Sequence, residues 1–228
     1  VPSTPISPSQ QFATIYTEGD YAHGIIAQSI AGGGGFTNLI DDEGNISGFF
    51  AGTAGGDGKA GDVSVAIDGR VITTGVGSIG VIAQSAGGIA GKITINNTAN
   101  ALIRGGSADG AAIRIIDGQN NEINNAGILT GSGSGSASDN HVGQYLLGQH
   151  DLIDIGFLNA NAITAGNAED TINNTGFITG NLNLGHGENA LNNTDNGWIL
   201  SGNSIVVNGL AQNAANWAVS GVNLVGQT

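Results

Sequence analysis

Short apolar runs alternate with clusters of Gly, Asn and Asp along the whole chain. The runs VSVAI (63–67), KITI (92–95) and SIVV (204–207) are rich in β-branched residues and bounded by turn formers. Runs of this length and composition predict short β-strands. No twelve-residue window shows a strong 3.6-residue period, and the best helical candidate, LAQNAANWAV at 210–219, is weak. The first ten residues, VPSTPISPSQ, hold all three prolines and predict an extended lead-in. The expected organisation is an N-terminal Pro/Ser-rich segment over 1–16 and one repetitive all-β domain over 17–228.

The repeats come in two sets. TEGDYAHGIIAQSIAGGGG from Thr17 matches TTGVGSIGVIAQSAGGIAG from Thr73, and Gly24 aligns with Gly80, 56 residues on. A second set reads ITINNTANALIRG (93–105), NEINNAGILTG (121–131), DTINNTGFITG (170–180) and NALNNTDNGWILSG (189–202). Its Asn pairs begin at 96, 124, 173 and 192, spaced by 28, 49 and 19 residues. If the spacing of 49 hides one weaker copy, with IDIGFLNANAITAG (153–166) as the candidate, the mean period is ~24, which is solenoid spacing. A hairpin sandwich wants longer strands and matched turns. Three short strands per repeat fit a parallel β-helix in which each rung pairs with the next ~4.8 Å away. About 9–10 rungs, or roughly 45–50 Å of rod, are expected. Like residues then stack, so Asn97, Asn125, Asn174 and Asn193 are expected to form a side-chain amide ladder. Trp198, aligned with Phe177 and Ile128, is expected in the core.

Composition narrows the function classes. With 41 Gly and 26 Asn the chain turns often; 39% hydrophobic and 10% charged residues argue for a folded chain rather than a disordered one. Only 5% is aromatic, which suits thin layers of small aliphatic side chains. The net charge is −13, and all five cations (Lys59, Arg70, Lys92, Arg104, Arg114) lie between 59 and 114. A nucleic-acid interface, which needs a basic patch, and binding to an anionic membrane are disfavoured. No apolar run approaches the ~18 residues of a membrane helix, so no membrane insertion is expected of these residues. The absence of Cys excludes disulfides and thiolate sites.

The stretch EDTINNTGFITGNLNLGHGENALNNTDNGWILSG (169–202) resembles the repeats of bacterial autotransporter passenger domains. GIIAQSIAGGGG and GVIAQSAGG are similar to repeats of large alphaproteobacterial autotransporter-like surface proteins. The similarity covers roughly 17–208. It implies a right-handed parallel β-helix, secreted through an outer-membrane barrel and displayed at the bacterial cell surface. The sequence ends with GVNLVGQT and lacks a series of ~10-residue alternating membrane strands. A fragment, a released passenger or a relative displayed by other means is therefore expected.

No catalytic cluster is expected. Asp151, Asp154, Glu169 and Asp170 lie near one another in sequence but read as solvated turn acids. The four His (His23, His141, His150, His186) show no metal-ligand spacing. Asp57 and Asp62 in GGDGKAGD (55–62), and GHGEN (185–189), are similar to calcium-binding Gly/Asp repeats but stand isolated, so Gly-rich turns are the expected reading and calcium the fallback. Tyr145 and Trp217 lie outside the repeats and are the candidates for a contact surface. Three functions remain. The first is a non-catalytic adhesin or display rod that meets a surface glycan or protein receptor. The second is an extracellular filament subunit stacking end to end on copies of itself. The third is a polysaccharide-active β-helix enzyme.

Overall fold

The computed structural model describes residues 12–32, 36–40, 46–51, 56–132, 144–147, 151–154, 160–194, 196–201, 205–207, 210–212, 217–220 and 223–225. These residues form no helix; every regular element is a strand. The first rung contains β1 (Thr14–Thr17) and β2 (Ile25–Ile30). An antiparallel pair, β3 (Phe36–Ile40) and β4 (Ile46–Ala51), follows as an outgrowth. The second rung is β5 (Val63–Ile67), β6 (Arg70–Thr73) and β7 (Ile79–Ala86). The third is β8 (Ile93–Asn97), β9 (Leu102–Arg104) and β10 (Ala111–Asp117). The fourth is β11 (Asn121–Asn125) and β12 (Ile128–Thr130), then a second antiparallel outgrowth of β13 (Gln144–Leu147) and β14 (Asp151–Asp154), then β15 (Asn161–Thr164). The fifth is β16 (Asp170–Asn174), β17 (Phe177–Thr179) and β18 (Asn181–Asn183), and the sixth β19 (Ala190–Asn193), β20 (Trp198–Ser201) and β21 (Ile205–Val207).

Corresponding strands pair in parallel from rung to rung, making the three sheets of a parallel β-helix. The first sheet is β5-β8-β11-β16-β19, the second β1-β6-β9-β12-β17-β20, and the third β2-β7-β10-β15-β18-β21. Each sheet contributes an aliphatic column to the interior. Val65, Ile95, Ile123, Ile172 and Leu191 stack on the first, and Val71, Ile103, Leu129, Ile178 and Ile199 on the second. Val81, Ile113, Ile163, Leu182 and Ile205 stack on the third. All are buried in one cluster, each worth roughly 2–3 kcal/mol of transfer free energy. Period-two alternation gives the first-sheet strands their in–out pattern, and a slip of one residue would turn every Ile outward.

Four features differ from the sequence expectation. Six rungs form among the described residues, not nine or ten, so the stack is roughly 29 Å long at 4.8 Å per rung. The spacing of 49 residues is one rung, since Asn124 pairs directly with Asn173. The supposed weaker copy at 153–166 is instead the end of an outgrowth plus the third-sheet strand β15. The weak helical window at 210–219 carries strands at both ends. Here β22 (Leu210–Gln212), β23 (Trp217–Ser220) and β24 (Asn223–Val225) lie antiparallel to β21, β20 and β19. The chain thus turns back and lays one antiparallel strand on the last edge of each sheet, closing edges that would otherwise template further pairing. The first rung also starts early, at Thr14, where β1 pairs with β6 inside the segment expected to be a lead-in.

Candidate functional site

The Asn pairs end the first-sheet strands, and the two members of each pair face opposite ways. The second member points inward and is buried. Asn97 Nδ2 donates to Asn125 Oδ1 (2.7 Å), Asn125 Nδ2 to Asn174 Oδ1 (2.7 Å), and Asn174 Nδ2 to Asn193 Oδ1 (2.6 Å). Each amide also donates to a carbonyl at the following corner; Asn125 reaches Phe177 O at 3.1 Å and Asn193 reaches Gly197 O at 2.9 Å. The expected ladder of Asn97, Asn125, Asn174 and Asn193 is therefore present, and it holds the turn into the second sheet. It starts at the third rung because Ile67 occupies that place in the second.

Two further columns lie beyond the sequence expectation. The first members, Asn96, Asn124, Asn173 and Asn192, form an outer, half-buried ladder that donates the opposite way, from Asn192 to Asn173 to Asn124 to Asn96, at 2.9–3.0 Å. At the other end of the strands stand Asn121, Asp170 and Asn189, all buried. Asn121 Oδ1 accepts Ile93 N–H (3.1 Å), and Asn121 Nδ2 donates to Asp170 Oδ1 (2.9 Å); Asn189 Oδ1 accepts Asp170 N–H (2.8 Å). Burial pushes the Asp170 carboxyl up to about 6, against which the Asn121 hydrogen bond is the smaller effect. The paired AQS repeats stack as aligned: Gln28 Nε2 donates to Gln84 Oε1 (2.9 Å), and Ser85 Oγ donates to Gly61 O (2.9 Å).

The remaining candidates are scattered. Asp57 is exposed, and Asp62 Oδ1 accepts the backbone N–H of Lys92 (2.8 Å), which ties two rungs together. Among the described residues no group of three or more acids or His could hold a metal ion. Asp151 and Asp154 lie on the outgrowth strand β14, whereas Asp170 is inside the solenoid and Glu169 is exposed beside it, so the four acids do not form one solvated cluster. His141 and His150 lie outside the described residues. His186 is exposed. His23 Nδ1 accepts Ile79 N–H (3.0 Å); burial, then the Arg114 charge, lowers its imidazole to about 4, so it is neutral at pH 7. Tyr145 lies on β13 opposite Ile153, and Trp217 on β23 opposite Ser201. Trp198 is not in the core. It aligns with Phe177 and Ile128 as expected, but that column lies on the face of the second sheet opposite the central core, where Leu102 and Ile128 are buried in a second small cluster with Ile72 and Phe177; Trp198 is 42% exposed and stacked on Phe177 at 6.2 Å.

A groove of about 780 Å³ crosses rungs two to four at the corner between the third and first sheets, bordered by Gly87, Ile89, Asp117, Gln119 and Asn167. Asp117 is the one ionisable group among its described lining residues. A smaller recess of about 280 Å³ on the outer first sheet holds Lys92, Glu122, Glu169 and Glu188. There the Lys92 ammonium, 2.6 Å from Glu122, and then Asn124 hold the Glu122 carboxyl below the ordinary range. Compared with known protein families, curated proteins and solved structures, the chain matches none.

Proposed function

We propose that this chain is a non-catalytic segment of an autotransporter-type passenger, displayed on the bacterial cell surface, in which a short rod carries hairpins that contact a glycan or protein receptor. The carrying observation is that both antiparallel outgrowths interrupt the sequence of the solenoid without interrupting its pairing. β2 stacks on β7 across the β3–β4 insertion, and β10 stacks on β15 although β13–β14 intervenes. Scaffold continuity beside inserted loops is the usual division of labour between frame and contact surface. The ionisable groups favour the same reading over a glycan hydrolase. A general acid must hold its proton near neutral pH while touching substrate. Glu122 is shifted the wrong way, and Asp170, shifted the right way, is shut inside the stack. End-to-end filament stacking is the second reading. It draws on the first rung, where Ile15, Tyr16 and Ile26 are exposed on the strands that begin the second and third sheets.

Beads coated with the protein test the proposal on immobilised surface glycans and matrix proteins. Replacing 133–159 by a short Gly/Ser link from Ser132 to Ala160 should cut bead retention by about tenfold or more, since few residues carry most contact energy. The circular-dichroism spectrum should stay that of the solenoid. Retention unaffected by removal of either outgrowth, no retention on any surface, or polysaccharide turnover by the intact chain would overturn it.

A further inference from the structure

We infer that Asp170 is a proton-binding position built into the solenoid: a neutral carboxyl stands where the neighbouring rungs place an amide, and the column is complete only when that carboxyl carries its proton. The geometry is that of the register. Asn121, Asp170 and Asn189 occupy one column at the start of the first-sheet strands, Asn121 and Asp170 as the first residues of β11 and β16 and Asn189 just before β19, and each is buried. Each amide gives one Nδ2 donor back to the corner that precedes it, Asn121 to Asp117 O (3.0 Å) and Asn189 to Leu184 O (3.1 Å). Asp170 receives the column's hydrogen bond on Oδ1, but its Oδ2 is buried without a partner. An ionised carboxylate has nothing to donate into that slot; a protonated one does.

The surroundings do not compensate the charge. On the elements packed around Asp170 the ionisable groups are Asp117 at the end of β10, Lys92 and Glu122 on the outer face of the first sheet, Glu169 beside it, and His186 and Glu188 in the turn before β19. Lys92 is engaged with Glu122, and Asp117, Glu169, His186 and Glu188 are exposed. Burial is the leading influence on the carboxyl, which titrates near 6 in the fold and 3.8 in the open chain. Between those values the folded state holds a proton that the unfolded state has lost. Stability from this position is therefore fully present below 3.8, falls as the pH rises, and is absent above about 6. His23 works in the opposite sense, because its lowered value makes the fold lose stability as the pH drops from 6.5 to about 4. The two act in opposite directions over overlapping pH ranges in the wild type, so the difference between variants is the diagnostic quantity.

The test is urea unfolding of wild type and Asp170→Asn between pH 3.5 and 8. Above pH 7 the amide should raise the folding equilibrium constant by about a hundredfold, and by pH 3.5 the two proteins should converge. Glu169→Gln, one residue away and exposed, should track the wild type at every pH. A carbon-13 titration of the Asp170 carboxyl in the wild type supplies a reading that needs no variant to fold; a midpoint well above the ordinary carboxylate range is expected. A midpoint in the ordinary range, a gap that stays constant with pH, or an Asp170→Asn protein less stable than wild type at pH 7.5 would overturn the inference.

Discussion

Asn125→Ala lowers the unfolding free energy by roughly 3–5 kcal/mol, while Asn124→Ala, one residue away on the same strand, lowers it by about 1 kcal/mol. Asn125 is one of the two inner members of the four-residue buried ladder. Its loss removes the short bonds from Asn97 and to Asn174 and the one to the Phe177 carbonyl, leaving the Asn97 donor and the Asn174 acceptor only their longer contacts with Ile128 O and Gly176 N–H, and it opens a void the rungs cannot close. Each buried polar group left without a partner costs about 1–3 kcal/mol. Asn124 makes the same kind of amide bonds at 2.9 and 3.0 Å, accepting from Asn173 and donating to Asn96, but on the half-buried outer face. Water can replace them there. Urea unfolding of the two variants reads the contrast; equal losses would mean that the inner amides contribute no more than surface ones.

The second large effect is steric. Gly106→Ala destabilises by roughly 2–4 kcal/mol, whereas Gly166→Ala changes stability by less than about 1 kcal/mol. A Cβ on Gly106 would lie 1.9 Å from the Gly75 carbonyl oxygen and 3.0 Å from Ser78 Cβ. The obstacle is backbone of the adjacent rung, which cannot rotate away, so the ladder spacing itself must widen. At Gly166 nothing stands within 4 Å. The same substitution there only stiffens the unfolded chain. Thermal midpoints of the two variants should move in clearly different amounts, and a tolerated Gly106→Ala would mean that the corner is looser than the stack requires.

Much of this architecture was legible because stacking repeats residues. The Asn pairs and the AQS copies named their own partners: the alignments of Gly24 with Gly80 and of Trp198 with Phe177 and Ile128 are structural registers. What misled was face and insertion. The apolar column of Trp198 predicts an interior position, yet in a strand the next residue, Ile199, is the one that faces the central core, and the column on the other face, buried at Leu102 and Ile128, has the same composition as the inward one. The 49-residue step reads as two rungs because hairpin strands such as QYLL (144–147) and DLID (151–154) carry the same short apolar runs as the solenoid. Their pairing with each other, not with rungs, is long-range information. Beside Glu169, Asp170 reads as a turn acid. The pattern that identifies it is present in NEINN, DTINN and NALNN, where the residue three places before the Asn pair is Asn, Asp or Asn. The C-terminal closure has no such signal, because the closing strands do not repeat anything.

The continuity of the solenoid across the second outgrowth is the claim on which the scaffold reading stands, and a disulfide tests it most directly. Asn124 and Asn173 are 49 residues apart in sequence and neighbours in adjacent strands. Neighbouring strands ~4.8 Å apart place paired Cα atoms within the range that a disulfide spans. The chain has no cysteine, so Asn124→Cys with Asn173→Cys gives an unambiguous readout by mass spectrometry after mild oxidation. The folded protein should cross-link completely within the chain, and the protein in urea not at all. Two thiols that stay free to alkylation in the folded protein, as they would with a whole rung between them and ~9.6 Å of separation, would contradict it.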